Sequence, residues 1–178
     1  GAEIREIKFE LPGNLPLGAL NTILFSEAAA AFEHLTLDGR DDDLVWQDDN
    51  AWPNSFRAAR FISAVDLVQA QRLRRAVMEA MDTIFEDVDM LISPPFAGGL
   101  LTITNYTGHP ALVMRAGFTA RPTRTLFGQS EEGGEEFDVP DSIVLWGRLF
   151  EDIALTQIGQ KIENKLSVAG WRPNKFKA

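Results

Sequence analysis

Cysteine is absent from the 178 residues, and histidine occurs only as His34 and His109. The first absence removes disulfide scaffolds, thiolate zinc sites, iron–sulfur clusters and cysteine nucleophiles. It leaves the compartment open, because cysteine-free chains occur everywhere. The second leaves no HExxH pair and no two-histidine zinc site, since His34 falls inside a helical run and His109 stands before Pro110. Long apolar runs are also lacking. The longest wholly apolar stretch, Ala28 to Phe32, is far short of the ~18 residues a bilayer span demands. The opening Gly1-Ala2-Glu3-Ile4-Arg5-Glu6 does not show the basic-then-hydrophobic order of an export signal, so a cytoplasmic chain with no membrane partner is expected. Basic charge is scarce: 17 Lys plus Arg against 26 Asp plus Glu give a net charge of −9. A surface of that sign repels phosphate backbones, so no nucleic-acid partner is expected.

What remains is enough for a folded core. A chain of this length hides about 68 to 70% of its extended surface on folding, so one domain over residues 1–178 is expected, with no staple needed. Ile4, Ile7, Phe9 and Leu11 ahead of Pro12-Gly13-Asn14 read as a strand over 4–11 closed by a turn. Ile23, Leu24, Ala28, Ala31, Phe32 and Leu35 recur at helical spacing, predicting a helix over 21–37 that Gly39 stops. The strongest periodicity lies between Phe56 and Glu86, where Phe61, Val65, Val68, Leu73, Val77, Met81 and Ile84 form one stripe; Asn54 or Ser63 is a candidate cap. Val88 to Ile92 reads as a buried strand closed by Pro94-Pro95, and residues 111–114 and 143–146 as two more. Residues 118–141, with Gly133-Gly134 and a run of Glu, have little periodicity and read as a mobile acidic loop. Helical spacing returns over 150–166, ended by Gly170 and Pro173. Helices alternating with strands place the chain in the α/β class, and no fixed-period repeat is visible.

Tested against chemistry, most polar groups read as structural. The acidic run Asp38 to Asp43 lacks the alternating oxygens, central Gly and distal Glu of a calcium loop, and reads as a solvated helix boundary. Gly98-Gly99 precedes Leu100-Leu101-Thr102, without the glycine spacing or Gly-Lys-Ser/Thr of a phosphate cradle. Arg57, Arg60, Arg72, Arg74 and Arg75 pair more readily with neighbouring carboxylates than with a ligand anion.

Asp89-Met90-Leu91-Ile92-Ser93-Pro94, then the run from Thr104 to Val113, then Ala116-Gly117-Phe118 resemble the C-terminal part of the amidase signature family. Pro140 to Leu155, with Gly147-Arg148 at its centre, looks like that family's closing strand, turn and terminal helix. The helix with Ala70-Gln71-Arg72 ahead of Phe85 is similar as well, so the resemblance runs from about Leu20 to Ile162. One departure is Arg115, where the family usually has proline. The resemblance implies a partial amidase-signature-like α/β fold, a mixed sheet packed with helices. It also implies amide hydrolysis through one Ser, a second Ser in a cis peptide and a Lys, with the oxyanion held by a Gly-Ser-rich loop. Those parts belong to the family's N-terminal half. Here no Gly-Gly-Ser-Ser-Gly-Gly occurs, and the lysines are Lys8, Lys161, Lys165, Lys175 and Lys177, all near the chain ends.

The expectation is therefore a scaffold without catalytic residues, metal or cofactor. Catalysis by the isolated chain is not expected, because the missing groups are those that lower a barrier by on the order of 8 kcal/mol or more. Thr104, Asn105, Thr107, Gly108 and His109 are its candidate substrate-binding residues: hydroxyls, an amide, and a glycine permitting close approach. The same residue types serve as caps and turns about twice as often as they contact ligands. The expected partners are a small-molecule amide substrate when the chain is paired with a catalytic half, and either a second copy or an N-terminal amidase half. The alternative is a non-enzymatic binding or assembly module that has kept the fold.

Overall fold

The structure, a computed structural model, describes residues 2–9, 11, 13, 15–122 and 136–172. The chain divides into two compact units, Gly1–Ile84 and Phe85–Ala178.

The first unit is helical. Residues 2–9 form no strand, a correction to the expected pairing of 4–11: the stretch is apolar at intervals but Ile4 is exposed, and a strand without a partner has no ladder to satisfy its backbone. A 3-10 turn, Leu17–Leu20, leads into α1 (Asn21–Ala31), followed by α2 (Glu33–Leu37). The single helix expected over 21–37 is interrupted at Phe32, whose φ of −106° and ψ of 22° leave helical geometry while its ring packs 5.6 Å from Phe56. Phe56 in turn stacks on Trp52, which meets Phe25 edge-on, so an aromatic cluster joins α1 to α3 (Trp52–Ala59). Buried Leu20 and Ile23 belong to the same unit.

The helix expected from Phe56 through Glu86 is two helices, α3 and α4 (Ala64–Glu86). Pro53 in the first turn opens α3. Ser63 opens α4: its Oγ accepts from the Asp66 amide at 3.0 Å and donates to the Asp66 carboxylate at 2.7 Å. This N-cap chemistry outweighs the continuous apolar period, and Phe61, on the expected stripe, lies exposed in the break.

The acidic stretch becomes a 3-10 turn, Arg40–Asp43, held from inside. Asp41 is buried and lies 2.8 Å from Arg57 Nε; Asp42 takes the other side of the same guanidinium at 2.6 Å. The Gln47 amide donates to the carbonyls of Asp41 and Leu44.

The second unit carries the sheet: β1 (Met90–Ser93), α5 (Leu100–Thr107), β2 (Ala111–Pro122), β3 (Glu136–Gly147) and α6 (Asp152–Leu166). Strand order is β1-β3-β2, and both pairings among the described residues are antiparallel, where the resemblance implies a mixed sheet. Leu145 pairs with Ile92 on one side and Leu112 on the other. With Met114, Ile143 and Met90 it forms the face on which Leu155 and Ile162 of α6 pack. Gly159 lets α6 approach closely: a Cβ there meets Leu112 Cδ2 at 2.2 Å. On the opposite face Trp146, 2% exposed, donates its indole N–H to Ser93 Oγ at 2.9 Å.

Residues 111–114 and 143–146 are strand as expected, but the strands run much further. The expected loop over 118–141 is corrected at both ends: 118–122 and 136–141 pair with each other as a two-stranded ribbon, from Phe118↔Pro140 to Pro122↔Glu136. Residues 123–135, the middle of that loop, lie outside the described residues. A ribbon exposed on both faces needs no apolar alternation, so pattern alone reads it as loop. Pro140 is tolerated because β1 pairs only with residues 144–147, so that among the described residues the other edge of β3 has no ladder at Pro140 to break.

Candidate functional site

The candidate residues gather at the end of α5 and the turn into β2, all within the second unit. Gly108 closes α5 at φ 86° and ψ 10°, the left-handed cap that glycine adopts without a Cβ penalty, and its N–H donates to the Thr104 carbonyl at 2.8 Å. The two threonines turn inward. Thr104 Oγ1 donates to the carbonyls of Leu100 and Leu101 at 2.9 and 3.2 Å. Thr107 Oγ1 lies 2.7 Å from His109 Nδ1. His109 stacks on Phe85, with ring centroids 5.2 Å apart and planes 12° from parallel.

A hydroxyl beside an imidazole nitrogen has the spacing of a nucleophile and its base. Exposure argues against that use: Thr107 is 3% and His109 5% exposed, so no substrate carbonyl reaches the pair. Of the five candidates, the structure leaves Asn105 and Gly108 exposed, while Thr104, Thr107 and His109 brace the turn from beneath. The surface can therefore offer an amide and a glycine backbone to a ligand.

Arg148, just past the end of β3 that pairs with the start of β2, holds the same corner. Its Nη2 donates to the carbonyls of Phe85 and Val88 at 2.7 and 3.2 Å, satisfying acceptors at the C-terminus of α4. Gly147 donates to the Pro110 carbonyl at 3.0 Å, fastening β3 to the turn. Phe85 is thus fixed by its carbonyl and stacked by its ring. Motif spacing alone misses this role; a basic residue at a strand end beside a helix C-terminus is the signal that carries it.

Elsewhere the structure offers less. In the first unit an open recess of about 1060 Å³ is lined by Asn21, Thr22, Phe25, Asn54, Arg57 and Phe61, among others. Arg57 is committed: its hydrogen bond and charge interaction with Asp41, and then with Asp42, raise its pKa above the usual arginine value. Among the described residues no group of three His, Cys, Asp or Glu is placed to hold a metal ion, and no helix is long and apolar enough to cross a membrane.

Comparison with solved structures places this fold. The chain is similar to a bacterial aryl acylamidase of the amidase signature enzymes, with a TM-score of 0.57 and 16% identity, over 90% of this chain and 38% of that one. It is also similar, with a TM-score of 0.53 and 20% identity, to a chain from a vestigial protein complex described as revealing the evolutionary origins of an s-triazine catabolic enzyme; the match covers 84% of this chain and 33% of that one. The α/β fold is therefore that of part of an amidase signature enzyme, and the chain spans roughly a third to two fifths of the length of these neighbours. No family profile and no curated protein sequence matches it.

Proposed function

We propose that this chain is the C-terminal segment of an amidase-like C–N hydrolase, supplying scaffold and part of the wall of a substrate cleft while another segment supplies the chemistry. The carrying observation is the asymmetry of the likeness: nearly all of this chain finds a counterpart in the acylamidase, while most of the acylamidase finds none here. In this reading Asn105 is the ligand-facing group, Gly108 allows close backbone approach, and Thr104, Thr107 and His109 hold the turn in register. The substrate is a small amide. The residues that attack its carbonyl lie in the other segment, so the isolated chain does not turn over carboxamides.

Two measurements test this. The DNA in frame upstream, or in a neighbouring gene, is expected to encode a glycine-serine loop and a lysine; co-expression with that segment is expected to yield amide hydrolysis that neither part shows alone. Carboxamide turnover by this chain alone, at enzymatic rate and free of other polypeptides, refutes the reading.

A second reading, an assembly module without catalysis, draws on the second structural neighbour, which is described as part of a complex. It predicts that the co-expressed pair associates but hydrolyses no amide.

A further inference from the structure

Arg115, the residue that departs from the family's proline, sits at the one irregularity in the β2–β3 ladder, the bulge between Arg115 and Gly117. Its Nη1 donates to the carbonyls of Val168 and Trp171 at 3.1 and 3.3 Å. Its guanidinium lies 5.5 Å from the Phe118 ring and 5.6 Å from the Trp171 ring, and those two rings are 4.5 Å apart.

Register fixes which side of the sheet this is. Arg115 pairs with Ser142 and Phe118 with Pro140, positions that alternate with Ile143 and Leu145 on β3. Ile143 and Leu145 face α6; Arg115 and Phe118 therefore face away from it. Helix α6 ends at Ser167, which takes φ 54° and ψ 28°, and by Trp171 the chain is on the opposite face. Beyond the left-handed Ser167 the chain turns, with the Trp171 N–H donating to the Val168 carbonyl at 3.3 Å, and this turn presents both carbonyls to Arg115. The contacts to Val168 and Trp171 put the crossing beside β2, whose outer edge carries no other strand among the described residues.

We infer that residues 167–172 are a strap that wraps the outer edge of β2 at its bulge, that Arg115 is its fastening, and that the strap guards this edge against pairing with a second copy of the chain. Long edge strands invite such pairing, and covering the edge with a loop is one way that it is prevented. The fastening suits arginine: one guanidinium nitrogen reaches both carbonyls while the delocalised cation, less strongly hydrated than an ammonium, stays within cation–π reach of two rings.

Arg115→Ala tests the fastening and Trp171→Ala tests it from the strap side without touching β2, so that one variant remains informative if the other fails to fold. Hydrogen exchange of residues 168–171 is expected to quicken at least about tenfold in both, as for a segment released to local opening. Arg115→Lys should lie between. Sedimentation at equal concentration should show association above that of the wild-type chain in both alanine variants. Wild-type exchange at 168–171 in both folded variants overturns the fastening. Release of the strap without any change in sedimentation overturns the guarding role. Neither readout depends on amide hydrolysis, so this inference and the proposed function stand or fall separately.

Discussion

Gly159→Ala separates helix propensity from packing, because the two act with opposite sign at this position. In an exposed helix interior, replacing glycine by alanine stabilises by about 1 kcal/mol. Here the new methyl group meets Leu112 Cδ2 at 2.2 Å, with Leu112 Cγ at 3.6 Å and Leu145 Cδ1 at 3.8 Å, so the Leu112 side chain must turn away from α6. Crowding of this kind costs about 1 to 3 kcal/mol. The net expectation is a loss of roughly 0 to 2 kcal/mol, the lower end applying if the Leu112 tip finds another rotamer at little cost. The decisive measurement is a double-mutant cycle with Leu112→Val, which removes Cδ2 and leaves a β-branched residue suited to a strand. In that background Gly159→Ala should stabilise by about 1 kcal/mol, giving a coupling of roughly 1 to 3 kcal/mol. Urea denaturation read by hydrogen exchange of β2 and β3 amides follows the second unit alone. With a urea dependence of about 2 kcal/mol/M, each kcal/mol moves the midpoint by about 0.5 M. Equal stabilisation by Gly159→Ala in both backgrounds would refute the close approach of α6 to β2.

The turn at the candidate site yields a contrasting pair. Thr107→Val takes the hydroxyl from the buried His109 nitrogen and should destabilise by about 1 to 3 kcal/mol, whereas Asn105→Ala should change stability by less than about 0.5 kcal/mol and weaken amide-ligand binding in the assembled enzyme. Thermal melts and ligand titration check both; an Asn105 effect confined to stability removes its ligand-facing role. Gly108→Ala, forced to keep φ 86°, should cost about 1 to 2 kcal/mol by the same melts. Arg148→Met should quicken exchange of amides near residues 85–88, and unchanged exchange there would mean the carbonyl contacts hold nothing in place. Asp41 and Asp42 raise the pKa of Arg57, so its contribution is complete below the usual arginine value and disappears only as pH rises through the still higher folded value. The melting difference between wild type and Arg57→Met should therefore show no arginine titration between about pH 6 and 10; a step within that window contradicts the assignment.

Legibility from sequence followed the density of local signals. Helix α6 and the strand cores at 111–114 and 143–146 were readable because apolar period, glycine and proline agreed on them. The helix break at Phe32 was not, since the ring that leaves helical geometry does so to meet Phe56, a contact without a local signature. Ser63 was visible as a possible cap, yet the apolar period ran across it; only the bonds to Asp66 decide that the helix begins there. The ribbon was misread for a related reason. Glu136, Asp138 and Asp141 look like loop residues, but a strand paired on one side and wet on both faces is free to carry them. Arg121 and Thr119 both bond Asp141 across that ribbon, using the charge that suggested disorder as a cross-strand tie.

The candidate residues divide along the same line. Residue type marked Thr104, Asn105, Thr107, Gly108 and His109 together, because hydroxyl, amide and imidazole are the groups that bind ligands and also the groups that close helices. Burial separates them: Thr107 and His109 bond each other and Thr104 bonds the carbonyls of its own helix beneath the turn, and the exposed pair can meet a ligand. A polar group already holding a hydrogen bond in a dry interior gains little by exchanging it for a substrate contact, whereas an exposed amide exchanges only water. The weight of the binding proposal therefore rests on Asn105 and the Gly108 backbone. Arg115 makes the converse point, standing where the resemblance leads one to expect proline. Proline has no side chain to span from a strand bulge to the far end of a helix; arginine has, and two carbonyls and two rings receive it.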